Sequence, residues 1–242
     1  MPERYPPDPA HRLPAAVVVG STGGIGRAVA DALHATHEVW LVHRGSPKAP
    51  NLAGDASFRT WCVDLEADLT ELTPPEELTQ VDLLVLAAGR WLSGTLAEGS
   101  AGDWSAVLTV NAIGQIALTQ SLLPHLRRAH GRVIALSSTA VDGSPRGRSA
   151  YIASKAALGA FLGGLHEEER HHGIQVTTVY AGRVATSMHR AVTNEESTAE
   201  RVEAMTSEDL AGVIVMLAEA PSSVHISQVT VRAASYESDA SL

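Results

Sequence analysis

The sequence predicts a single-domain α/β fold, a doubly wound sheet of about seven parallel strands flanked by helices. Short β-branched runs alternate along the chain with longer stretches of helical periodicity. The 242 residues, 45% of them hydrophobic, suffice for one large domain with a substantial core. We assign residues 14–234 to this domain. We predict loose polar tails at 1–13, which is rich in proline, and at 235–242, which is rich in serine and aspartate.

The strands and helices alternate in chain order. The runs with strand character are 15–19, 38–43, 58–63, 81–87, 132–137, 174–180 and 224–231. Helical patterns lie near 24–35, 103–129, 150–171 and 207–219, with a helical turn near 75–79. Such alternation is typical of a parallel sheet that helices cover on both faces, and the ligand site of such a sheet lies beyond the carboxyl ends of its strands.

A glycine-rich segment follows the first predicted strand and leads directly into the first helix. Glycines let the backbone turn tightly and approach a pyrophosphate, while the helix N-terminus offers free N–H groups and a partial positive charge. The position between a strand and a helix favours this reading over a glycine turn without a ligand. The predicted fold is therefore Rossmann-like, and the coenzyme-binding residues of this turn are Gly20, Thr22, Gly23, Gly24, Ile25 and Gly26.

A tyrosine and a lysine stand four residues apart in Tyr151-Ile-Ala-Ser-Lys155, in a chain with only two lysines. Residues four apart on a helix share a face. An ammonium beside a phenol favours the phenolate and lowers the phenol pKa from about 10, so that the tyrosine can exchange a proton near neutral pH. The alternative is a lysine paired with a structural glutamate.

Two further polar residues interrupt apolar surroundings. Ser138 follows the fifth predicted strand, where its hydroxyl can hold a substrate carbonyl oxygen as that oxygen gains charge. Side-chain alternation predicts that Ser137 faces the other way. Asn111 lies on an apolar helical stripe, and a buried carboxamide without partners would cost about 1–3 kcal/mol. The alternatives are a serine that satisfies local backbone and an asparagine bonded to a kinked helix.

Taken together, these motifs resemble the short-chain dehydrogenase/reductase family. The glycine turn, the Leu-Ala-Ala-Gly segment at 86–89, Asn111 and the set of Ser138, Tyr151 and Lys155 agree with the family in order and spacing. The resemblance covers about residues 14–231, which is nearly the whole chain. It implies an oxidoreductase that transfers a hydride between NADP(H) and a carbonyl or secondary alcohol.

The resemblance also implies a role for each catalytic residue. Tyr151 would be the general acid in reduction and the general base in oxidation. Lys155 would lower the pKa of Tyr151 and bind the nicotinamide ribose, and Ser138 would polarise the carbonyl. Asn111 would hold a water that continues a proton relay from the lysine.

The chain departs from the family pattern at several positions. Val19 stands where a threonine usually precedes the first glycine, Leu86 and Ala87 replace two asparagines, and Ala181 replaces a proline. These changes affect loop rigidity and the fit of the nicotinamide more than the chemistry. By resemblance, the coenzyme-binding residues in the later loops are Ala88, Gly89, Gly182 and Thr186.

The end of the second strand indicates which coenzyme binds. A carboxylate there would accept from the 2′-hydroxyl of NAD and repel a 2′-phosphate, but the chain has His43 followed by Arg44. We therefore predict NADP(H), with NAD(H) as the less favoured coenzyme. A surface arginine without a ligand is the alternative for Arg44. Asp64 resembles the aspartate that contacts adenine in the family.

Composition excludes several classes of partner. The formal charge of −9 and the pI near 5.6 argue against nucleic acid and against an anionic membrane surface. Cys62, the single cysteine, cannot form an intrachain disulfide, so a cytoplasmic location is the simplest expectation, and we expect its side chain to be buried on a strand. We interpret His171 and His172 as solvated helix-end residues and expect no metal site.

The remaining features concern substrate and assembly. The lid region near 187–205 is short and polar, which favours a small carbonyl or alcohol, with Trp91, Tyr180 and Met188 as lining residues. Three glycines inside the helix that carries Tyr151, each costing about 1 kcal/mol relative to alanine, indicate close helix contact. In the family this helix and the helix bearing the asparagine pair with a second subunit, so we predict a homodimer or homotetramer.

Two other functions fit the same motifs. The chain could be a non-catalytic NADP-binding regulatory or scaffold protein, although an intact Ser138, Tyr151 and Lys155 set counts against this. It could also be an epimerase or dehydratase that keeps NADP tightly bound. Copurification of the coenzyme would favour that reading.

Overall fold

The computed structural model describes residues 12–45, 58–67, 69, 72–186, 188 and 204–234. Most of the two predicted tails therefore lies outside the described residues. Seven strands form one sheet in the described chain, all neighbours being parallel, in the order β3-β2-β1-β4-β5-β6-β7. They are β1 Ala15–Val19, β2 Glu38–His43, β3 Phe58–Cys62, β4 Leu83–Leu86, β5 Arg132–Ser138, β6 Gln175–Ala181 and β7 Gln228–Val231. The predicted α/β fold is confirmed.

Helices connect these strands. The α-helices of the described residues are α1 Gly24–Leu33, α2 Ala101–Leu108, α3 Gly114–Ala129, α4 Ala140–Gly143, α5 Ser149–Glu169 and α6 Ser207–Ala218. A π-helical turn, Thr109–Ile113, joins α2 to α3, and a 3-10 turn, Arg170–His172, follows α5. Two polar caps set the starts of α2 and α6, because Ser100 accepts from the N–H of Asp103 and Thr206 forms a reciprocal capping box with Asp209.

Helices cover both faces of the sheet, so both sets of alternating side chains are buried along the inner strand β1. In β1, Ala15, Val17 and Val19 pack in one layer with leucines of α3 and α5. Ala16 and Val18 pack in the other layer with apolar residues of α1 and α6. Double burial explains why this strand is an uninterrupted apolar run rather than an alternating one.

Some element boundaries differ from the prediction. The strands β4 and β7 are each shorter than the predicted runs, and α4 was not predicted. Near 75–79, where a helical turn is predicted, a hydrogen bond from the Leu78 N–H to the Pro75 carbonyl, at 3.0 Å, closes a single turn. The expectation of a buried Cys62 is wrong. Cys62 is the last residue of the edge strand β3, and it is exposed.

The continuous helix Ala101–Ala129 is the one helix in the described chain that is long and apolar enough to span a membrane by length and composition. Its apolar residues have another explanation. Leu118, Leu122 and Leu126 are fully buried in the layer that covers the sheet. The helix is therefore a core helix of the α/β fold, and its composition follows from that position.

Candidate active site

Close backbone contacts shape the turn between β1 and α1. Gly20 has a φ of +81°, in the left-handed region that favours glycine, and a Cβ there would lie 2.6 Å from the Ala88 Cα. A Cβ on Gly26 would overlap the carbonyl oxygen of Gly20. No side chain caps α1 at Gly23, so the first N–H groups of the helix are available to an anion. The turn has the form of a pyrophosphate cradle.

A cleft of about 650 Å³ opens above this turn at the carboxyl ends of the strands. It is large enough for most of a dinucleotide, since ligand sites are typically about 300–1,000 Å³. The predicted coenzyme-binding residues that line it are Gly20, Thr22, Gly23, Gly24, Ile25, Gly26, His43, Arg44, Asp64, Ala88, Gly89 and Thr186. Gly182 does not line the cleft. Its N–H donates to the Val231 carbonyl of β7 at 2.8 Å.

Charged residues gather at one end of the cleft, beyond β2 and β3. The Arg44 guanidinium is 71% exposed and lies 3.9 Å from the Glu66 carboxylate, which also pairs with Arg90. Asp64 accepts a hydrogen bond from the Glu66 N–H at 3.0 Å, and His43 accepts one from the Gly45 N–H at 3.0 Å. The long and exposed Arg44 contact is weak, so this guanidinium can turn to a ligand at little cost.

Asn111 joins three elements around the opposite end of the cleft. Its Oδ1 accepts from the Arg90 N–H at 2.6 Å, and its Nδ2 donates to the Arg90 carbonyl and to Ser154 Oγ, both at 2.9 Å. The π-helical turn supplies the local widening of the helix in which this fully buried residue lies. Its side chain therefore bonds to a neighbouring loop and to α5, and not to the backbone of its own helix.

Ser138 and Tyr151 are close enough in space for the serine hydroxyl to affect the pKa of the tyrosine. Ser138 is the last residue of β5, and its Oγ accepts from the Ala140 N–H at 3.2 Å, which orients the hydroxyl. Ser137 is buried and donates instead to the main-chain oxygen of Lys155 at 3.2 Å. As the alternation of side chains predicts, only one of the two serines meets the tyrosine.

Lys155 is buried directly behind the cleft. Its side chain is 4% exposed, and its Nζ donates to the carbonyl oxygen of Leu136 on β5 at 2.8 Å. A Cβ on the cleft-lining Gly89 would lie 3.8 Å from this Nζ and 3.9 Å from Asn111 Oδ1. Lys155 and Asn111 thus meet behind the same loop, on the wall against which a coenzyme would lie.

The pKa values differ from the expectation that Lys155 lowers the pKa of Tyr151. Burial raises the pKa of Tyr151, and the groups that oppose this shift are Ser138, through its hydroxyl, and Arg148, through its charge. Burial also lowers the pKa of Lys155 to about 8. The physical reason is the direction of the ammonium group, which donates to Leu136 on the neighbouring strand.

Of the three predicted substrate-lining residues, two line the cleft. Trp91 packs on Tyr151 with ring centroids 4.6 Å apart, and Met188 Cε would lie 3.7 Å from a Cβ on Gly89. The hydroxyl of Tyr180 instead lies against Gly159 of α5 and outside the cleft lining. Most of the predicted lid, namely 187 and 189–203, lies outside the described residues.

Sequence reasoning missed two polar residues that support this site. Ser154 accepts from Asn111 and donates to the Tyr151 carbonyl at 2.6 Å. The buried Gln115 donates from Nε2 to the main-chain oxygens of Asn111 at 2.9 Å and Ala88 at 3.2 Å. A glutamine four residues after Asn111 on an apolar stripe was the available signal for the second of them.

Known proteins resemble this chain in sequence. A sequence model of the short chain dehydrogenase family matches residues 14–197. An uncharacterised oxidoreductase of Staphylococcus aureus strain MW2 is 28% identical over 227 residues, which cover 90% of this chain and 96% of the relative. A similar protein of Staphylococcus saprophyticus is 28% identical over 230 residues, with the same coverage.

Solved structures of low sequence identity share the fold. A serine dehydrogenase in complex with NADP⁺ has a TM-score of 0.83 at 23% identity, covering 94% of this chain and 98% of that one. A 3-oxoacyl (acyl-carrier-protein) reductase from Agrobacterium tumefaciens with NADP bound has a TM-score of 0.77 at 24% identity, covering 91% and 93%. The fold, the site and the sequence match together define the class, and the chain belongs to the short-chain dehydrogenase family. It is an oxidoreductase of that family.

Proposed function

We propose that the protein transfers a hydride between NADP(H) and a small carbonyl or secondary alcohol, with Ser138 and Tyr151 handling the oxygen. The observation that carries this proposal is the cleft above the glycine turn, whose lining residue Trp91 packs on the ring of Tyr151 at 4.6 Å between centroids, so that the phenol lies beside the cleft. The bound coenzyme would supply or accept the hydride. The test is the loss of turnover when Tyr151 loses its hydroxyl.

Each side chain has a definite part in the proposed reaction. In reduction, Ser138 donates a hydrogen bond to the carbonyl oxygen as negative charge develops there, and Tyr151 gives its phenolic proton to that oxygen. In oxidation, Tyr151 removes the hydroxyl proton. The Lys155 ammonium lies behind Gly89 and would meet the nicotinamide ribose, while Asn111 fixes the loop between Gly89 and Trp91 through Arg90.

The two alternative functions, a scaffold protein and an epimerase or dehydratase, make different demands on these residues. A scaffold protein would need the cleft but no tyrosine and serine beside it. An epimerase or dehydratase would need tightly held coenzyme that copurifies with the protein. Because the acid and its partner serine are both in place beside the cleft, we favour reversible carbonyl reduction.

We also propose that NADP(H) is preferred over NAD(H). Arg44 lines the cleft beyond β2, and its contact with Glu66 is long and exposed, so its guanidinium is available to a 2′-phosphate. The serine dehydrogenase and the 3-oxoacyl reductase with similar folds carry NADP in their structures, which supports the same choice. Asp64 and Gly89 remain proposed contacts of the adenosine and nicotinamide halves.

Replacing Arg44 with glutamine is expected to weaken NADPH binding about tenfold or more and to leave NADH binding unchanged, because only NADPH carries the phosphate. Fluorescence titration of both coenzymes measures this. Arg59→Gln is the matched control, since Arg59 is an exposed arginine of β3 that pairs with Glu38 outside the cleft. Equal weakening of both coenzymes, or of neither, would contradict the assignment.

We propose a homodimer or homotetramer built on α3 and α5. The exposed side of α5 carries small residues, and nothing within the described chain lies within 4 Å of a Cβ placed on Gly163 or Gly164. Ile113, at the start of the neighbouring helix, is 54% exposed. An ion pair of Arg127 with the buried Glu169, at 2.8 Å, fixes the two helices side by side. Together α3 and α5 present their exposed sides to a second copy of the chain.

Size-exclusion chromatography with light scattering is expected to give a multiple of the 25.4 kDa chain mass. Ala160→Arg, which puts a long cation on the exposed side of α5, is expected to shift the protein towards that monomer mass. Ala32→Arg on the exposed side of α1 is the matched control and should not change the assembly. A wild-type protein that elutes as a monomer would overturn the proposed interface.

A further inference from the structure

Arg148 is a cation beside the catalytic tyrosine that the proposed reaction does not use. It is the residue immediately before α5, three positions ahead of Tyr151. Its guanidinium carbon lies 5.2 Å from the ring centroid of Trp91, and the Trp91 ring in turn packs on the ring of Tyr151. One tryptophan ring therefore separates the arginine from the phenol that holds the substrate oxygen.

The charge of Arg148 has no carboxylate partner among the described residues. The ion pairs of the described chain involve other arginines. Two acidic residues, Glu98 and Asp103, line the small cavity beside this turn, but Glu98 accepts from Thr95 and Asp103 accepts from the Ser100 hydroxyl. No described carboxylate therefore neutralises the guanidinium over the Trp91 ring, and its fork of N–H donors can take an anion from outside the chain.

Trp91 lies between the Arg148 guanidinium and Tyr151, beside which the reacting substrate oxygen would lie. The tryptophan lines the coenzyme cleft and contacts Tyr151, so a substrate whose oxygen lies between Ser138 and Tyr151 passes along the tryptophan. The group that extends beyond the reacting carbon would then meet Arg148. The planar fork of a guanidinium matches a carboxylate in two parallel hydrogen bonds.

We propose that Arg148 binds a carboxylate of the substrate, so that the substrate class is an oxo acid and its hydroxy acid counterpart. This inference rests on the proposed function, because it concerns the substrate of the same reaction. Trp91 sets the distance between the carboxylate and the reacting carbonyl. Arg148 acts on substrate selection and takes no part in the proton transfer.

The experiment compares oxo acids with their methyl esters. A series of 2-, 3- and 4-oxo acids and the matching methyl esters presents the same carbonyl with and without the negative charge. The change in the ratio of kcat/KM for acid to kcat/KM for ester between the wild type and a variant isolates recognition of the carboxylate. Any effect of Arg148 on the pKa of Tyr151 changes both members of a pair alike and leaves the ratio unaltered.

The wild-type protein is expected to prefer the acid in at least one pair. Arg148→Gln should reduce the acid-to-ester ratio for that pair about tenfold or more, and Arg148→Lys should keep part of the preference. Arg146→Gln is the matched control, since Arg146 is an exposed arginine of the same turn and its loss should leave the ratio unchanged.

Several outcomes would overturn the assignment. Equal losses of kcat/KM for acid and ester in Arg148→Gln would mean that Arg148 only positions Trp91. A wild-type protein that turns over esters as well as acids would remove the carboxylate subsite while leaving the proposed function intact. If neither member of any pair is reduced although other carbonyls are, this substrate class is wrong. Failure to reduce any carbonyl would remove the proposed function and this inference together.

Discussion

Replacing Tyr151 with phenylalanine is expected to lower turnover by about 10²–10⁴-fold, the usual contribution of a positioned general acid. The substitution removes the phenolic hydroxyl and keeps the ring that packs on Trp91. Because the tyrosine ring is not part of the glycine cradle, the dissociation constant of NADPH should stay the same. Steady-state kinetics and coenzyme titration of one preparation measure both quantities.

A matched control separates loss of the acid from loss of any tyrosine hydroxyl. Tyr180→Phe removes a hydroxyl that lies against Gly159 and outside the cleft lining, so its turnover should be close to that of the wild type. If Tyr151→Phe keeps wild-type turnover, the proton comes from another group. If instead it loses coenzyme binding along with turnover, the residue acts on the cleft and not on the substrate oxygen.

The second large effect is expected on replacing Lys155 with methionine. Turnover should fall on the order of 10²-fold, comparable to the loss of one fixed donor at an active site. Methionine keeps the apolar stem, but the Leu136 carbonyl loses the bond from Nζ and the cleft loses the charge behind Gly89. NADPH should bind more weakly, because the ammonium would no longer reach the ribose.

Lys155→Arg is not expected to rescue this loss. The side chain is 4% exposed against β5, and a guanidinium is larger than an ammonium and cannot give up its charge. Assays belong below pH 8, where the wild-type ammonium is charged, because burial lowers the pKa of Lys155 to about 8 and its charge is lost as the pH rises through that value. Thermal unfolding of each variant checks that the fold persists. Wild-type turnover in Lys155→Met would contradict its role.

Much of the fold is predictable from periodicity and glycine placement. The strand β2 falls on its predicted residues. A helix end precedes its apolar run and a polar segment follows it, so both ends of the strand are marked in the sequence. The last strand was predicted over 224–231 and occupies Gln228–Val231. Residues 224–227 have strand composition but form a loop beside β6. The Ile226 carbonyl and the His225 ring each form a hydrogen bond with a residue of β6.

The site is less predictable than the fold, because its decisive contacts join residues far apart in sequence. The spacing of Tyr151 and Lys155 predicts a shared helix face, but it does not reveal that Lys155 donates to a strand carbonyl at position 136. Nor does it reveal that burial of Tyr151 outweighs the groups that lower its pKa. Arg148 has no motif of its own, and only its position over Trp91 makes it a candidate for substrate recognition.

Reduction of a carbonyl with hydride from NADPH is the reaction that we propose for this chain. The most direct measurement follows NADPH and NADH consumption by the purified wild-type protein across ketones, aldehydes, diketones, quinones and oxo acids, with product analysis by mass spectrometry. We predict stoichiometric formation of the alcohol with NADPH and slower reaction with NADH. Tight NADPH binding without reduction of any carbonyl would contradict the claim and favour a coenzyme-binding protein that has kept the site without the reaction.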